Sequence, residues 1–163
     1  MGDLEIPCKN PMTKERLNEL YELIKPGPVL ILTHDNPDPD GLASGKGLAF
    51  LFKKAWGINS RLIYSGLVAR AENKAMLSLL TPEWENQDVL DDLGQFSALI
   101  LIDTQPGAGN HRLSQDLRLT AVIDHHHPIR HGIENVPFVD IRPEIGATVS
   151  MVFQYLEIGR AHV

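Results

Sequence analysis

Five short apolar runs, separated by stretches of helical pattern, constrain the fold more than any other feature of this sequence. Two of them, Val29–Leu32 and Ala98–Ile102, are apolar at every position. A strand that is apolar on both sides of its pleat is typical of a parallel sheet covered on both faces. We therefore predict strands at 29–32, 61–64, 98–102, 119–123 and 136–141.

Helical patterns fill the intervals between these runs. Apolar residues at three- and four-residue spacing predict helices at 13–25, 42–56, 71–80 and 147–156. Two prolines exclude a helix from segment 35–41, which we predict to be a loop. The alternation of strands and helices predicts one α/β domain with a doubly wound, mostly parallel sheet.

Composition excludes several classes of protein. Hydrophobic residues make up 43% of the chain and charged residues 22%, which is typical of a soluble globular domain. No apolar run approaches the roughly 20 residues of a membrane helix, and the acidic N-terminal segment lacks the apolar centre of a signal peptide. We expect a cytoplasmic protein without a membrane partner, and the sequence leaves its oligomeric state open.

Charge and cysteine content restrict the chemistry further. Cys8 is the only cysteine, so any metal site must use histidines and carboxylates. A net charge of -6 gives no general attraction to a phosphate backbone, which argues against long duplex nucleic acid as a partner. A small phosphorylated ligand or a short single strand stays compatible, because a bound divalent cation reverses the local field.

Polar residues follow three of the apolar runs at the point where each predicted strand ends. They are His34, Asp38, Asp40, Asp103, Asp124, His125 and His126. Ligands of open parallel sheets bind beyond the carboxyl ends of the strands, so these side chains are expected to converge. Carboxylates and imidazoles are the donors of divalent metal sites. The alternative is that Asp40 caps the helix that follows it, that Asp103 caps a local turn, and that the histidines lie in a solvated loop.

The glycines of segment 41–47 do not form a phosphate-binding loop. Only three residues separate Gly41 from Gly45-Lys46, and Gly47 follows where a Walker A loop requires Ser or Thr. We expect these glycines to allow close helix packing and Ser44 to face the site.

The three motifs, in this order and at these strand ends, resemble the DHH family of phosphoesterases, and the resemblance covers roughly residues 29–156. The third motif is Asp124-His125-His126, and the segment Gly146–Ser150 resembles the one that follows it in a particular branch. That branch is related to RecJ-type exonucleases and contains oligoribonucleases that also act as phosphoadenosine-phosphate phosphatases.

The resemblance implies a site for two divalent metal ions, for which Mn²⁺ is the expected identity. Its first ion would be bound by His34, Asp38 and Asp103, and its second by Asp40, Asp103 and His125. The bridging ligand would be Asp103. His126 would face the phosphate, and Asp124 would orient a histidine.

The implied activity is two-metal hydrolysis of a phosphoester in a short single-stranded oligonucleotide or a small phosphorylated nucleotide. Cyclic-dinucleotide phosphodiesterase and pyrophosphatase activities of the same family are alternatives. A module that binds metal and nucleotide without catalysis is another. Arg112, Arg130 and Arg142 are candidates for phosphate contacts, and His127 and His131 are expected to be bystanders.

We also expect the catalytic domain to be incomplete. Residues 1–157 would form it without the C-terminal substrate-binding domain, whereas residues 158–163 match one reading frame of a widely used DNA-sequencing adapter. The resemblance places the remaining metal-binding aspartate on a later strand, and Asp140 does not correspond to it. Residues 1–163 alone are therefore expected to be inactive.

Overall fold

The computed structural model describes residues 11–87, 93–113 and 118–160, which form a single six-stranded sheet with flanking helices. The strands are β1 (Val29–Leu32), β2 (Ser60–Tyr64), β3 (Trp84–Asn86), β4 (Ala98–Ile102), β5 (Ala121–Asp124) and β6 (Phe138–Ile141). The helices are α1 (Lys14–Ile24), α2 (Pro39–Trp56), α3 (Ala71–Ala75) and α4 (Thr148–Gly159). Helix α3 continues into a π-helical turn (Met76–Leu80), and a separate 3-10 turn (Leu93–Gln95) precedes β4. The predicted α/β class is confirmed.

The strands are all parallel and lie in the order β3-β2-β1-β4-β5-β6. The chain moves from β1 to one edge through β2 and β3, and it then returns to place β4 on the other side of β1. Val29 is thereby paired with Ser60 on one side and Ala98 on the other. At such a reversal of strand order the loops after the two central strands diverge, and a crevice opens between them.

Both faces of the sheet are buried, as the continuous apolar runs predict. Alternate residues of β1, such as Val29 and Ile31, join a large core with α1, α2 and α4. Leu30 and Leu32 point to the opposite face, where a smaller core is covered by connecting segments. No helix in the described ranges is long and apolar enough to cross a membrane.

Helix α2 begins earlier than predicted. It begins at Pro39, because proline fits the first position of a helix, where its missing N–H is not needed. Asp38, rather than Asp40, is the N-cap, and its side chain accepts hydrogen bonds from the backbone N–H groups of Asp40 and Gly41 at 3.0 and 3.2 Å. The alternative in which Asp40 caps this helix is therefore wrong.

Two further departures concern short or terminal elements. Strand β3 was not predicted, because it has only three residues and one buried side chain, Trp84. At the other end, α4 extends to Gly159, which is buried against Leu51. Ile158 and Gly159 thus end α4 and Arg160 is its C-cap, and the interpretation of residues 158–163 as adapter-encoded stays a prediction.

Candidate metal centre

The carboxyl ends of β1, β4 and β5 bring the predicted site residues to one edge of the sheet. His34 follows β1 by two positions, Asp103 follows β4 directly, and Asp124 is the last residue of β5. Because these three strands are neighbours in a parallel sheet, the side chains after them share one crevice.

Asp103 lies at the centre of the cluster, with only 1% of its surface exposed. Its Oδ2 atom is 3.6 Å from Nε2 of His34. Its Oδ1 atom is 3.7 Å from Nε2 of His125 and 3.8 Å from Nδ1 of His126. The two oxygens of one carboxylate therefore face two different sets of histidines.

The backbone of Asp103 adopts a left-handed conformation, with φ of 59°. This region is uncommon for a residue with a side chain and costs on the order of 1 kcal/mol, although Asp tolerates it better than most residues. The Asp103 N–H still donates to the carbonyl of Ile123 in β5, at 2.9 Å. The chain thus turns sharply at the end of β4 while remaining attached to the sheet.

The side chains provide two groups of three donors, and Asp103 belongs to both. The first contains His34, Asp38 and Asp103, and the second contains Asp103, His125 and His126; within each group the donor atoms lie within 4.8 Å of one another. Donors that bind one ion at about 2.1 Å lie roughly 3 to 4 Å apart, and the separations from Asp103 to His34 and to His125, 3.6 and 3.7 Å, fall in this range. Mixed imidazole and carboxylate donors suit Mn²⁺ or Zn²⁺ better than Mg²⁺.

Hydrogen bonds fix the orientation of two of these histidines. Nδ1 of His34 is 2.9 Å from the carbonyl of Asp35, and Nδ1 of His125 is 3.1 Å from the carbonyl of Ile145. A carbonyl only accepts, so each Nδ1 carries a proton and donates. The Nε2 atoms are left to face the carboxylates, which is the arrangement of a metal-binding histidine.

His126 is held by a carboxylate instead. Its Nδ1 atom donates to Oδ1 of Asp124 at 2.7 Å, and Asp124 is completely buried. His126 itself is exposed over 55% of its side chain. The protein therefore fixes one side of this ring and leaves the other side accessible to a ligand.

Asp40 takes a position that sequence reasoning did not anticipate. Its two carboxylate oxygens accept hydrogen bonds from the backbone N–H groups of Thr148 and Val149, at 2.8 and 2.7 Å. It thus caps α4 from α2, because the N-cap of α4 is Ala147, which has no side chain to accept them. Asp40 still lies 3.4 Å from Nε2 of His125, but it belongs to neither group of three donors.

The electrostatics of the site show concentrated negative charge. Burial lowers the pKa of His34, but the carboxylates of Asp103 and Asp38 outweigh this effect and raise that pKa to about 10. The His34 ring, whose Nε2 lies 3.9 Å from Oδ1 of Asp38, in turn lowers the pKa of Asp38 to about 2. Burial raises the pKa of Asp103, because the ionised carboxylate is poorly solvated there. A cation bound in this crevice would relieve that cost.

Three residues that sequence reasoning missed support the site. Thr148 donates its hydroxyl to Oδ1 of Asp103 at 2.7 Å, and Gln105 donates to Oδ2 of Asp124 at 2.7 Å. Gly41 packs so closely against the end of β1 that a Cβ on it would be 2.5 Å from the Thr33 hydroxyl. Thr148 falls in the noted segment 146–150, whereas Gln105 gave no signal in the sequence.

The candidate phosphate contacts differ in their accessibility. Arg142 is 3% exposed and its Nε lies 2.9 Å from Oδ1 of Asp140, so the prediction that it contacts a phosphate is wrong. Arg112 lies 3.7 Å from Asp35. Arg130 lines a cavity of about 150 Å³ beside His126 and remains a candidate.

The predicted bystander histidines lie outside both groups of donors. His127 is exposed, and His131 is 96% exposed and lies 3.7 Å from Glu134.

The chain is similar to several known proteins. Residues 28–162 match the model of the DHH family, N-terminal domain. An uncharacterized protein of Methanocaldococcus jannaschii is 38% identical over 139 residues, covering 85% of this chain and 27% of that protein. A probable manganese-dependent inorganic pyrophosphatase of Streptococcus agalactiae is 24% identical over 139 residues, covering 77% of this chain and 40% of that protein.

A solved structure shows the same fold. The exopolyphosphatase-related protein of Bacteroides fragilis superimposes with a TM-score of 0.65 at 15% identity, over 90% of this chain and 44% of that one. The chain thus spans less than half the length of each of these relatives. The three motifs at the strand ends, the parallel sheet and the family match over residues 28–162 together show that this chain belongs to the DHH family and carries its N-terminal domain.

Proposed function

We propose that this chain provides the metal centre of a phosphohydrolase that cleaves its substrate with two divalent ions. The observation that carries the proposal is the division of the Asp103 carboxylate, whose Oδ2 faces His34 while Oδ1 faces His125 and His126. A carboxylate placed in this way can bridge two cations. Ions held there would supply Lewis acidity, which acidifies water and offsets charge on the phosphate oxygens.

The side chains have distinct roles in this proposal. His34, Asp38 and Asp103 hold one ion, and Asp103 and His125 contribute to the second. Asp40 is the remaining ligand that the family resemblance implies, but its oxygens also accept two backbone hydrogen bonds. His126 belongs to the second group of donors by distance and is the accessible ring that can contact the phosphate. Asp124 accepts the hydrogen bond from Nδ1 of His126 and so keeps a proton on that nitrogen.

We propose that the substrate is a short oligonucleotide or a small phosphorylated nucleotide and that a phosphoester bond in it is hydrolysed. Inorganic pyrophosphate is the second candidate. It is favoured by the likeness to a probable manganese-dependent inorganic pyrophosphatase over 77% of this chain. Both substrates place a phosphoryl group in the same crevice, and they differ only in the leaving group.

A binding module without catalysis explains the site less well. A protein that only senses a nucleotide through one metal has no need of a second group of donors sharing the same carboxylate. The two groups around Asp103 therefore favour turnover.

Hydrolysis assays with Mn²⁺ test the proposal. A 3'-phosphorylated nucleotide, a dinucleotide and pyrophosphate would be offered to the full-length natural protein and, separately, to residues 1–163. We expect turnover of at least one of them, loss of activity by more than about 100-fold in Asp103→Asn, and near-normal activity in His127→Ala. Outer-shell substitutions typically cost about 10- to 100-fold, so a bridging ligand must cost more.

Equal losses in Asp103→Asn and His127→Ala would contradict the assigned roles. Equal turnover by residues 1–163 and the full-length protein would contradict the expectation that a further ligand and a substrate-binding domain are required.

A further inference from the structure

Gln105 is a buried polar residue whose side-chain hydrogen bonds to described residues all lead to the segment that carries Asp124 and His126. It is 2% exposed and follows Asp103 by two positions, in the loop after β4. Its Nε2 atom donates to Oδ2 of Asp124 at 2.7 Å and to the backbone carbonyl of His126 at 2.9 Å. Its Oε1 atom accepts from the backbone N–H of Arg130 at 2.8 Å.

The chemistry of these partners allows only one orientation of the amide. A carboxylate and a carbonyl can only accept, so they require the NH₂ end of Gln105. The N–H of Arg130 can only donate, so it requires the oxygen end. Rotating the amide by 180° would break all three contacts at once. The side chain is thus a fixed clamp between the loop after β4 and the loop after β5.

We propose that Gln105 is a positioning residue for His126, acting through Asp124. Gln105 binds Oδ2 of the Asp124 carboxylate, which leaves Oδ1 directed at Nδ1 of His126. Because the same amide also binds the His126 carbonyl, it sets the backbone and the ring of this residue together. The inference rests on the proposed function for its catalytic meaning, but the geometry itself can be measured without turnover.

Loss of the clamp has a defined consequence for the ring. Without a donor on Oδ2, the Asp124 carboxylate is free to rotate, and it loses one of the two hydrogen bonds that it accepts from described side chains. The proton of a neutral His126 is then no longer confined to Nδ1. The accessible nitrogen changes from a uniform lone pair to a mixture of donor and acceptor.

The test is a long-range ¹H–¹⁵N spectrum of the histidine side chains in residues 1–163, recorded at a pH where the His126 ring is neutral. Gln105→Met keeps the length of the side chain and removes all of its side-chain hydrogen bonds. Gln105→Leu removes the same hydrogen bonds with a branched side chain of similar volume, and neither variant can donate a proton to Asp124. Gln154→Met is the matched control, because the Gln154 amide binds Arg142 instead, at 2.7 Å. The backbone amide spectrum reports whether each variant is folded.

We expect a single Nδ1–H tautomer of His126 in the unaltered chain and in Gln154→Met, and a mixed tautomer in both Gln105 variants. An Nδ1–H tautomer that persists in a folded Gln105→Met or Gln105→Leu would overturn the proposal. If Gln105→Met fails to fold, Gln105→Leu decides instead, because it also lacks a donor for Asp124.

The two proposals fail separately. A protein without any phosphohydrolase activity whose His126 signal still depends on Gln105 would refute the proposed function and leave the positioning role intact.

Discussion

Two buried aspartates of this sheet, Asp103 after β4 and Asp140 in β6, are only 1% and 2% exposed, yet they are surrounded by different chemistry. Oδ2 of Asp140 accepts hydrogen bonds from Nη2 of Arg142 at 3.1 Å and from the Tyr155 hydroxyl at 2.5 Å. Asp103 accepts a hydrogen bond from Thr148, and its other near neighbours are imidazole nitrogens at 3.6 to 3.8 Å.

The difference separates a structural carboxylate from one suited to binding. A buried charge costs several kcal/mol unless it is paired. Asp140 is paired by a guanidinium that is always charged, and burial together with Asp140 raises the pKa of Tyr155 well above its ordinary value. Among the described residues, Asp103 is faced by the Thr148 hydroxyl and by histidine rings that are themselves possible metal donors. Burial alone therefore does not identify a functional carboxylate, but the nature of its partners does.

The largest expected effect is on stability at Asp140. Asp140→Ala leaves the buried Arg142 guanidinium without its partner, which should cost about 3 to 5 kcal/mol of unfolding free energy. Urea denaturation of residues 1–163 measures it, with Asp103→Asn as the comparison variant. The loss in Asp103→Asn should be smaller, because the neutral amide removes the cost of burying a charge. Equal losses of unfolding free energy in the two variants would contradict the distinction between a structural Asp140 and a binding Asp103.

Manganese should stabilise the chain only through Asp103. A ligand at about ten times its dissociation constant stabilises the folded state by about 1.4 kcal/mol. We expect that increase in unaltered protein and in His127→Ala, and none in Asp103→Asn. Thermal unfolding with and without Mn²⁺ is the measurement. An increase that persists in Asp103→Asn would place the ion elsewhere.

Two substitutions of Asp40 separate its role as a helix cap from a role as a metal ligand. Asp40→Ala removes the acceptor for two N–H groups of α4 and should cost about 1 kcal/mol. Asp40→Asn keeps one carbonyl acceptor and should lose less stability. If Asp40 is also a ligand, Asp40→Asn should still weaken Mn²⁺ binding in calorimetry. Unchanged affinity in this variant would assign Asp40 to capping alone.

The smallest effect on stability is expected at the exposed ion pair between Arg61 and Glu85. Arg61 donates to Glu85 at 2.7 Å on the surface of β2 and β3, and this hydrogen bond lowers the pKa of Glu85. The contribution is thus present above the ordinary carboxylate pKa and is lost as the pH falls through the lowered value. Arg61→Met should cost less than about 1 kcal/mol at neutral pH and nothing in high salt. A larger loss would indicate that the pair is less solvated than its exposure implies.

Sequence reasoning predicted most of the sheet because parallel strands buried on both faces leave a continuous apolar pattern. Strands β1 and β4 were located residue by residue, whereas β3 has too little buried surface to leave such a pattern. The clustering of candidate metal-binding residues after β1, β4 and β5 was predicted because the strand ends of a parallel sheet converge.

What the sequence could not predict are contacts between distant loops. Capping of α4 by Asp40 joins residues 108 positions apart. The clamp of Gln105 depends on the fold of two separate loops, and no local pattern distinguishes this glutamine from a surface one. Burial of Arg142 was missed because charged residues are ordinarily exposed.

The reversal of strand order between β1 and β4 also has a kinetic consequence. His34 and Asp103 come within 3.6 Å only after β1 and β4 have paired, and these strands are joined by the entire β2–β3 excursion. Contacts between such distant segments form late and slowly during folding. An ion that needs both residues has little to bind until the sheet is complete. Manganese should therefore slow unfolding in proportion to its stabilisation and leave the refolding rate unchanged, which stopped-flow measurements can show.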